Sequence, residues 1–445
     1  MNMQNRLLFL ELNEVNFEMV DAYASQGALP NFRRLFDTHG YCQTSSETDY
    51  ENLEPWIQWV TAHTGLTLAE HSVFRLGDIV HHDHEQIWEM LESRCGIRTG
   101  AVSPMNAQNR CADPAFFIPD PWTNTEVIAT PCVKRLFEAI RQLVNENADA
   151  KLEVRSLIAL VEGLFRFAQP SSYGRYLKFL RGSRQGPWRK ALILDQLLAD
   201  LFSHEVQRTR PGFASIFLNA AAHVQHHYFF NSTLYQGEQK NPDWYVDADT
   251  DPLVETYKAY DAIVGDIQKK FPEARLMIAT GLHQVPYHKS TYYWRLKDHE
   301  SFLRKAGVPF QSVEPRMSRD FLVHCEGKEQ ARTALRIIES LRTSENEALF
   351  EVDLRKTSVF VTLSYPSDIA PETLWAREQQ PKGNLRSEVS FVAVKNGEHS
   401  GIGYFLDTAN SKSTPQIPLE LTVIPKAVLQ AFEKNKITAP LPEAG

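Results

Sequence analysis

Between residues 7 and 12 the chain reads Leu-Leu-Phe-Leu-Glu-Leu, a nearly unbroken apolar run that predicts a strand covered on both faces. Over 16–26 and again over 31–38 apolar residues recur every three or four positions. Two helices are therefore expected, separated by the turn Gly27-Ala28-Leu29-Pro30. A helical stretch at 84–93 leads into a second predicted strand at 98–103. From about residue 122 to 205 the spacing stays helical, over 133–145, 154–168 and 190–204, with no strand-like alternation between them. Strand patterns return at 214–218 and 275–279, joined by a helix over 252–270. Strands alternating with helices of this length imply an α/β fold, a mostly parallel central sheet with helices on both faces. Residues 318–364 change character to a strand at 320–324, a helix over 331–341 and strands at 349–352 and 358–363. The expected organisation is a core at 1–121, 206–290 and 386–445, a helical insertion at 122–205, and a small α+β lobe at 291–385. Residues 438–445, rich in proline, read as a frayed tail.

A chain of 445 residues exceeds one ordinary core, in keeping with an insertion and a second lobe. The apolar share of 43% and charged share of 23% are those of a soluble globular protein. A formal charge of −8 excludes broad nucleic-acid affinity, which needs an excess of Lys and Arg to neutralise phosphates. The cysteines, Cys42, Cys95, Cys111, Cys132 and Cys325, are odd in number and include no close pair. Reduced thiols and a cytoplasmic location are the expectation. Glu11 interrupts the N-terminal apolar run, which is too short for a signal segment or a membrane span.

Six short segments carry a further resemblance. Leu7 to Glu14 followed by Gly27-Ala28-Leu29-Pro30-Asn31-Phe32, then Pro55-Trp56-Ile57-Gln58-Trp59-Val60-Thr61-Ala62-His63-Thr64-Gly65, then His223-Val224-Gln225-His226-His227-Tyr228-Phe229-Phe230 come first in order. Leu276 to Gln284, Asn396-Gly397-Glu398-His399-Ser400-Gly401-Ile402 and Ile417-Pro418-Leu419-Glu420-Leu421-Thr422 complete the set. In this order they resemble alkaline-phosphatase-superfamily enzymes, in the type I phosphodiesterase/nucleotide pyrophosphatase branch. The resemblance implies metal ligation by His226, His283 and His399, which fall at corresponding positions. It also marks departures. Asn13, Ala222 and Leu282 stand where the family carries metal-binding Asp residues, and Pro55 stands where it carries the nucleophilic Thr or Ser. Without those carboxylates to offset their repulsion, two adjacent divalent ions are not expected. A single metal, zinc or manganese, or none, follows.

Each of the three histidines is predicted at or just after the carboxyl end of a strand, the edge at which open α/β sheets bind ligands. Neutral imidazoles suit borderline divalent metals; in a fold that had lost its metals they would instead be hydrogen-bonded histidines. Glu14 and Asn13, at the end of the first strand, and Glu54, beside the former nucleophile position, are candidate catalytic groups. His223 is another, as a possible replacement for the lost Asp. Gln58 and Gln284 are candidates for orienting substrate oxygens.

No acid occurs between Glu162 and Asp195, whereas Arg166, Arg175, Lys178, Arg181, Arg184, Arg189 and Lys190 do, interleaved with aromatic rings. Arg175, Arg181 and Arg184 are therefore candidates for holding an anionic substrate, with the segment as a lid, against the alternative of a solvated basic face. The leading expectation is an enzyme acting on a phosphorylated or other anionic ester, by hydrolysis or by transfer in surface-glycan (polysaccharide) assembly. The alternatives are an inactive ligand-binding or scaffolding relative, and a lyase or isomerase acting on a sugar phosphate. The partner is a small-molecule or glycan anion, not nucleic acid.

Overall fold

The computed structural model describes residues 6–145, 153–316, 319–413 and 417–437. The segment 438–445, read from sequence as a tail, lies outside the described residues. The chain forms two compact units, one of Met1–Gln236, Ala248–Pro286 and Gly397–Gly445, the other of Gly237–Asp247 and Tyr287–Asn396. The smaller unit thus takes in 237–247 as well as most of the lobe read from the sequence, and the helices of 122–205 belong to the larger one.

The larger unit is built on an eight-stranded sheet. Its order is Leu419–Glu420, Cys42–Ser45, Ile402–Asp407, Arg275–Ala279, Leu7–Leu12, Phe213–Leu218, Thr99–Val102 and Phe116–Ile118. Only Ile402–Asp407 runs against the others. Leu7–Leu12 is central and buried along its whole length, as an apolar run between two parallel neighbours must be. On one face Phe9, Phe217, Met277 and Phe405 pack with Trp59 and Trp88. On the other, Phe17 stacks on Tyr404 at 5.3 Å and meets Phe36 at 5.2 Å. Glu11, whose burial alone would be costly, faces His63 Nε2 at 3.0 Å.

Local sequence sets the helix ends. Asn16 accepts hydrogen bonds from the Glu18 and Met19 amides and starts the helix Phe17–Ser25. Pro55 opens the helix Pro55–Thr64, and Gly65, at φ 75°, ends it in the left-handed conformation. Four helices fill the region read as an insertion: Pro131–Asn145, Val154–Phe167, Tyr173–Gly182 and Arg189–Thr209. The third was not expected from the sequence.

The smaller unit holds an antiparallel sheet in the order Phe350–Arg355, Ser358–Leu363, Asp320–His324 and Ser312–Pro315, with the helix Lys328–Glu339 between its strands in sequence. Trp294, Phe302, Phe321, Phe350 and Trp375 form its own core.

Candidate metal and catalytic site

Where Leu7–Leu12 ends, the backbone crosses to both neighbouring strands. The Asn13 amide donates to the Leu218 carbonyl at 3.0 Å, and the Glu14 amide donates to the Thr280 carbonyl at 3.1 Å. The Glu14 carbonyl accepts from Gln225 Nε2 at 2.8 Å, and Gln225 Oε1 accepts from the Tyr257 hydroxyl at 2.7 Å. These bonds hold Glu14 at φ 60°, a conformation that costs a non-glycine residue about 1–3 kcal/mol. The turn aims the carboxylate back over the sheet edge.

There Glu14 Oε2 stands 3.2 Å from His226 Nε2 and 3.2 Å from His399 Nε2, and the two nitrogens are 3.2 Å from each other. Three distant segments thus place one oxygen and two nitrogens at the corners of a nearly equilateral triangle. Ligands about 2.0–2.1 Å from one zinc ion at tetrahedral angles are about 3.3–3.4 Å apart, so the spacing fits a single shared ion. The donor set of two imidazoles and a carboxylate suits the same borderline divalent metals. Among the described residues no other trio of His, Cys, Asp or Glu meets in this way.

Neighbouring groups fix the ligand atoms. Gln284 Nε2 donates both to Glu14 Oε2 and to the Ala222 carbonyl, the latter at 3.1 Å. Asn13 Nδ2 donates to Glu14 Oε1 at 3.0 Å and to Asn219 Oδ1 at 2.8 Å, while Asn13 Oδ1 accepts from the Trp59 indole at 2.7 Å. The Leu53 backbone hydrogen-bonds His399. Such second contacts orient ligands and tune their basicity. The Glu14 side chain is 2% exposed and that of His226 32%, so the triangle is reached from the His226 side.

Charge follows the geometry. Burial alone would raise the Glu14 pKa, yet His399 and His226 hold it well below the ordinary value. Burial alone would lower that of His399, yet Glu14 and Glu54 carry it above the usual imidazole range. Glu54, half-buried just before Pro55–Thr64, feels His399, Glu14 and His226 without a hydrogen bond to any of them. Burial first and Glu14 second raise its pKa against the pull of both histidines.

The other candidates lie elsewhere. His283 is buried, its Nδ1 2.5 Å from the Ile402 carbonyl and its ring 5.4 Å from that of Tyr404, and burial lowers its pKa. It is outside the triangle, because its strand end turns it toward Ile402–Asp407. His223 is exposed on the helix Ala220–Tyr228, with its ring 5.0 Å from His227. Asn13 is committed to three hydrogen bonds and acts on Glu14 instead of on a substrate. Gln58 is fully buried and donates to the Asn52 carbonyl at 2.9 Å, so it cannot orient a substrate. Gln284 is likewise buried and holds Glu14.

Arg175 donates to Gln196 and Ser172 and is ion-paired with Asp266. Lys178 and Arg189 both pair with Glu255, and the rings of Tyr176, Phe179 and Trp188 are buried. Three of the seven cations of the expected anion-binding lid are therefore spent on internal structure. Arg181 and Arg184 are exposed and touch no member of the triangle. Trp59, Asn219 and Tyr257 were not anticipated. A buried indole N–H or Tyr hydroxyl needs a partner, the one signal that could have found Trp59 and Tyr257; nothing in the sequence sets Asn219 apart. A surface cleft of about 670 Å³ lined by Thr64, His84, Arg94 and Lys426 shares no residue with the site.

Solved structures similar to this chain include phosphonoacetate hydrolase from Sinorhizobium meliloti 1021 in complex with phosphonoformate, at 11% identity over 96% of both chains and a TM-score of 0.46. Murine ectonucleotide pyrophosphatase/phosphodiesterase 5 is similar at 11% identity over 99% of this chain and 97% of its own, with a TM-score of 0.42. A TAB5 alkaline phosphatase mutant with bound magnesium gives 9% identity, coverages of 96% and 98%, and a TM-score of 0.41. These neighbours are alkaline phosphatase superfamily members. They are distant, and the site has to be read from its own side chains. No family model and no curated protein matches the sequence.

Proposed function

We propose that this protein is a hydrolase of anionic phosphorus esters that holds one divalent metal on Glu14, His226 and His399 and works without a covalent enzyme intermediate. The supporting observation is the 3.2 Å triangle, drawn from three separate segments and braced by Asn13 and Gln284. The substrate class rests on the motif resemblance, since fold alone does not specify chemistry. A metal bound there would polarise a phosphoryl oxygen as a Lewis acid.

The remaining work belongs to the chain. Pro55 opens its helix with no hydroxyl, so the position that would carry a nucleophile offers none. Water then attacks phosphorus directly. Glu54, which interacts electrostatically with His399, Glu14 and His226 and whose pKa burial raises, would take the proton of the attacking water and return it to the leaving oxygen. Glu14 and Glu54 raise the pKa of His399 against the effect of burial, so a proton and a cation would compete for its imidazole.

The test is metal analysis of the purified chain, followed by titration of zinc and of manganese into chelator-treated protein with p-nitrophenyl phosphate and bis(p-nitrophenyl) phosphate as substrates. One equivalent should bind. Glu14→Gln and His399→Ala should each weaken it by about a hundredfold or more, since loss of a supporting contact already costs 10–100-fold. His283→Ala should leave affinity within about twofold. Diester turnover should track metal occupancy, and monoester turnover should stay low. Stoichiometric metal with no hydrolysis of either ester would make the chain a binding protein; absence of metal binding would sink the reading altogether.

A further inference from the structure

Of the fifteen large apolar side chains exposed among the described residues, eight lie between Val154 and Leu180, which sets this stretch apart from the scattered exposure any surface shows. On the helix Val154–Phe167 they are Val154, Leu157, Ile158, Val161 and Phe165. This i, i+3, i+4, i+7, i+11 spacing makes a single stripe, and Phe165 in it is 85% exposed. On the helix Tyr173–Gly182 they are Tyr173, Leu177 and Leu180, again one face.

Neither stripe is needed to seat its helix. Val154–Phe167 turns Ala159, Gly163 and Phe167 inward, where the Phe167 ring lies 5.1 Å from that of His204. A methyl group on Gly163 would stand 2.8 Å from Leu136, so the inner packing is already close. Tyr173–Gly182 buries Tyr176 and Phe179, with the Tyr176 hydroxyl donating to Asp200 at 3.0 Å. The apolar residues of the outer faces are surplus to the fold.

Cations accompany them. Arg175, Lys178 and Arg189 serve internal ion pairs, whereas Arg155, Arg181, Arg184 and Lys190 are exposed and make no side-chain ion pair among the described residues. No acid occurs from residue 163 to 194, in a chain of net charge −8. Large apolar side chains bordered by unpaired arginines match the acyl and phosphate layers of an anionic bilayer. A second copy of this chain is a poor occupant, because a two-fold contact of each stripe with itself brings arginines against arginines. No described helix is long and apolar enough to cross a membrane, so contact through these faces is contact at the surface.

We infer that the helices Val154–Phe167 and Tyr173–Gly182 dock the protein onto anionic lipid surfaces, their apolar stripes entering the headgroup boundary and Arg155, Arg181 and Arg184 meeting lipid phosphates. This does not depend on the chemistry proposed for the metal site.

Flotation of the full chain with vesicles tests it, using phosphatidylcholine and phosphatidylglycerol in equal parts or phosphatidylcholine alone, at low and at high salt. The chain should float with the mixed vesicles at low salt, lose most of that binding at high salt, and bind pure phosphatidylcholine weakly. Ile158→Ser with Phe165→Ser should cut partitioning by about tenfold or more. Arg155→Gln, Arg181→Gln and Arg184→Gln together should abolish the preference for phosphatidylglycerol. Both variants change exposed side chains; if the serine pair fails to fold, the glutamine triple decides. Absence of flotation, or flotation indifferent to the variants, overturns the inference. So does a dimer in sedimentation velocity that the serine pair dissociates while vesicles bind neither protein, which would make these faces a protein interface.

Discussion

An amide and a carboxylate at position 13 would act on Glu14 in opposite ways. Asn13 Nδ2 donates to Glu14 Oε1 at 3.0 Å, and its Oδ1 is fixed by the Trp59 indole. An Asp there would set two carboxylates at the same separation, where both cannot ionise cheaply. The carboxylate of the triangle is thus carried by residue 14, and the amide at 13 supports it. Asn13→Asp should therefore lose about 2–4 kcal/mol relative to wild type at about pH 8, much less at about pH 4 where one carboxyl is protonated, and regain stability when a divalent metal is added. Urea midpoints at the two pH values check this, and an equal loss at both would remove the electrostatic explanation. Asp195 offers a second pH-dependent reading. It is buried against the Tyr260 hydroxyl and the Ala220 amide, and burial raises its pKa to about 6 against an ordinary 3.8. A raised folded pKa gives stability that is full below about pH 4 and lost as pH rises through about 6, a fall of about 3 kcal/mol. Asp195→Asn should flatten that part of the stability curve; an unchanged slope would assign it to other groups. At this scale the sequence marked His226 and His399 as ligand candidates, since motif spacing carries residue type and order, and Glu14 as a catalytic candidate from its place at the end of the first strand. It also grouped His283 with them. The Ile402 carbonyl that occupies His283 comes from 119 residues away, and a contact at that separation leaves no local trace.

Elements bring the triangle together through close backbone approach. The strand Val389–Ser400 returns to the larger unit at Gly397, where a Cβ would sit 2.1 Å from Gln284 Oε1 and 2.7 Å from the Gln225 carbonyl. Only glycine lets the strand pass and still deliver His399 two residues later. Gly397→Ala must push aside both the glutamine that holds Glu14 Oε2 and a backbone carbonyl that cannot swing away. A loss of about 3 kcal/mol or more in stability is expected, with metal affinity reduced at least about tenfold. Calorimetry and metal titration check the two effects; normal affinity in a folded variant would show that the approach is not what places His399. The elements were legible where pattern and burial agree. Leu7–Leu12, Arg275–Ala279 and Pro252–Lys270 fall where the sequence placed them, because a buried strand or an amphipathic helix writes its period directly into the chain. The helix Tyr173–Gly182 escaped notice because its outer apolar stripe hides the polar face that marks an ordinary surface helix. For the same reason its arginines read as a lid, although Arg175 is spent on Asp266.

For the whole molecule, the decisive feature is that the proposed metal ligands and the residues bracing them all belong to one unit, while the other has a core of its own. Glu14, His226, His399, Asn13, Gln225 and Gln284 are in the larger unit. The smaller one closes Trp294, Phe302, Phe321, Phe350 and Trp375 within residues 287–396. A segment with a self-contained core in this size range is expected to fold alone. Its 237–247 partner strip adds Trp244 and Tyr245, whose rings lie 4.9 and 5.3 Å from Phe391. Expressed as a separate chain, 287–396 should show near-ultraviolet circular dichroism from its buried Trp294 and Trp375 and melt cooperatively, though below the temperature of the same segment with 237–247 joined to it. Zinc or manganese should leave that melting unchanged. In the full chain, metal at a hundredfold excess over its dissociation constant should stabilise the unit that holds the site by about 2.7 kcal/mol, through mass action alone. Equal stabilisation of the isolated segment would place the metal in the smaller unit and contradict the assignment of Glu14, His226 and His399.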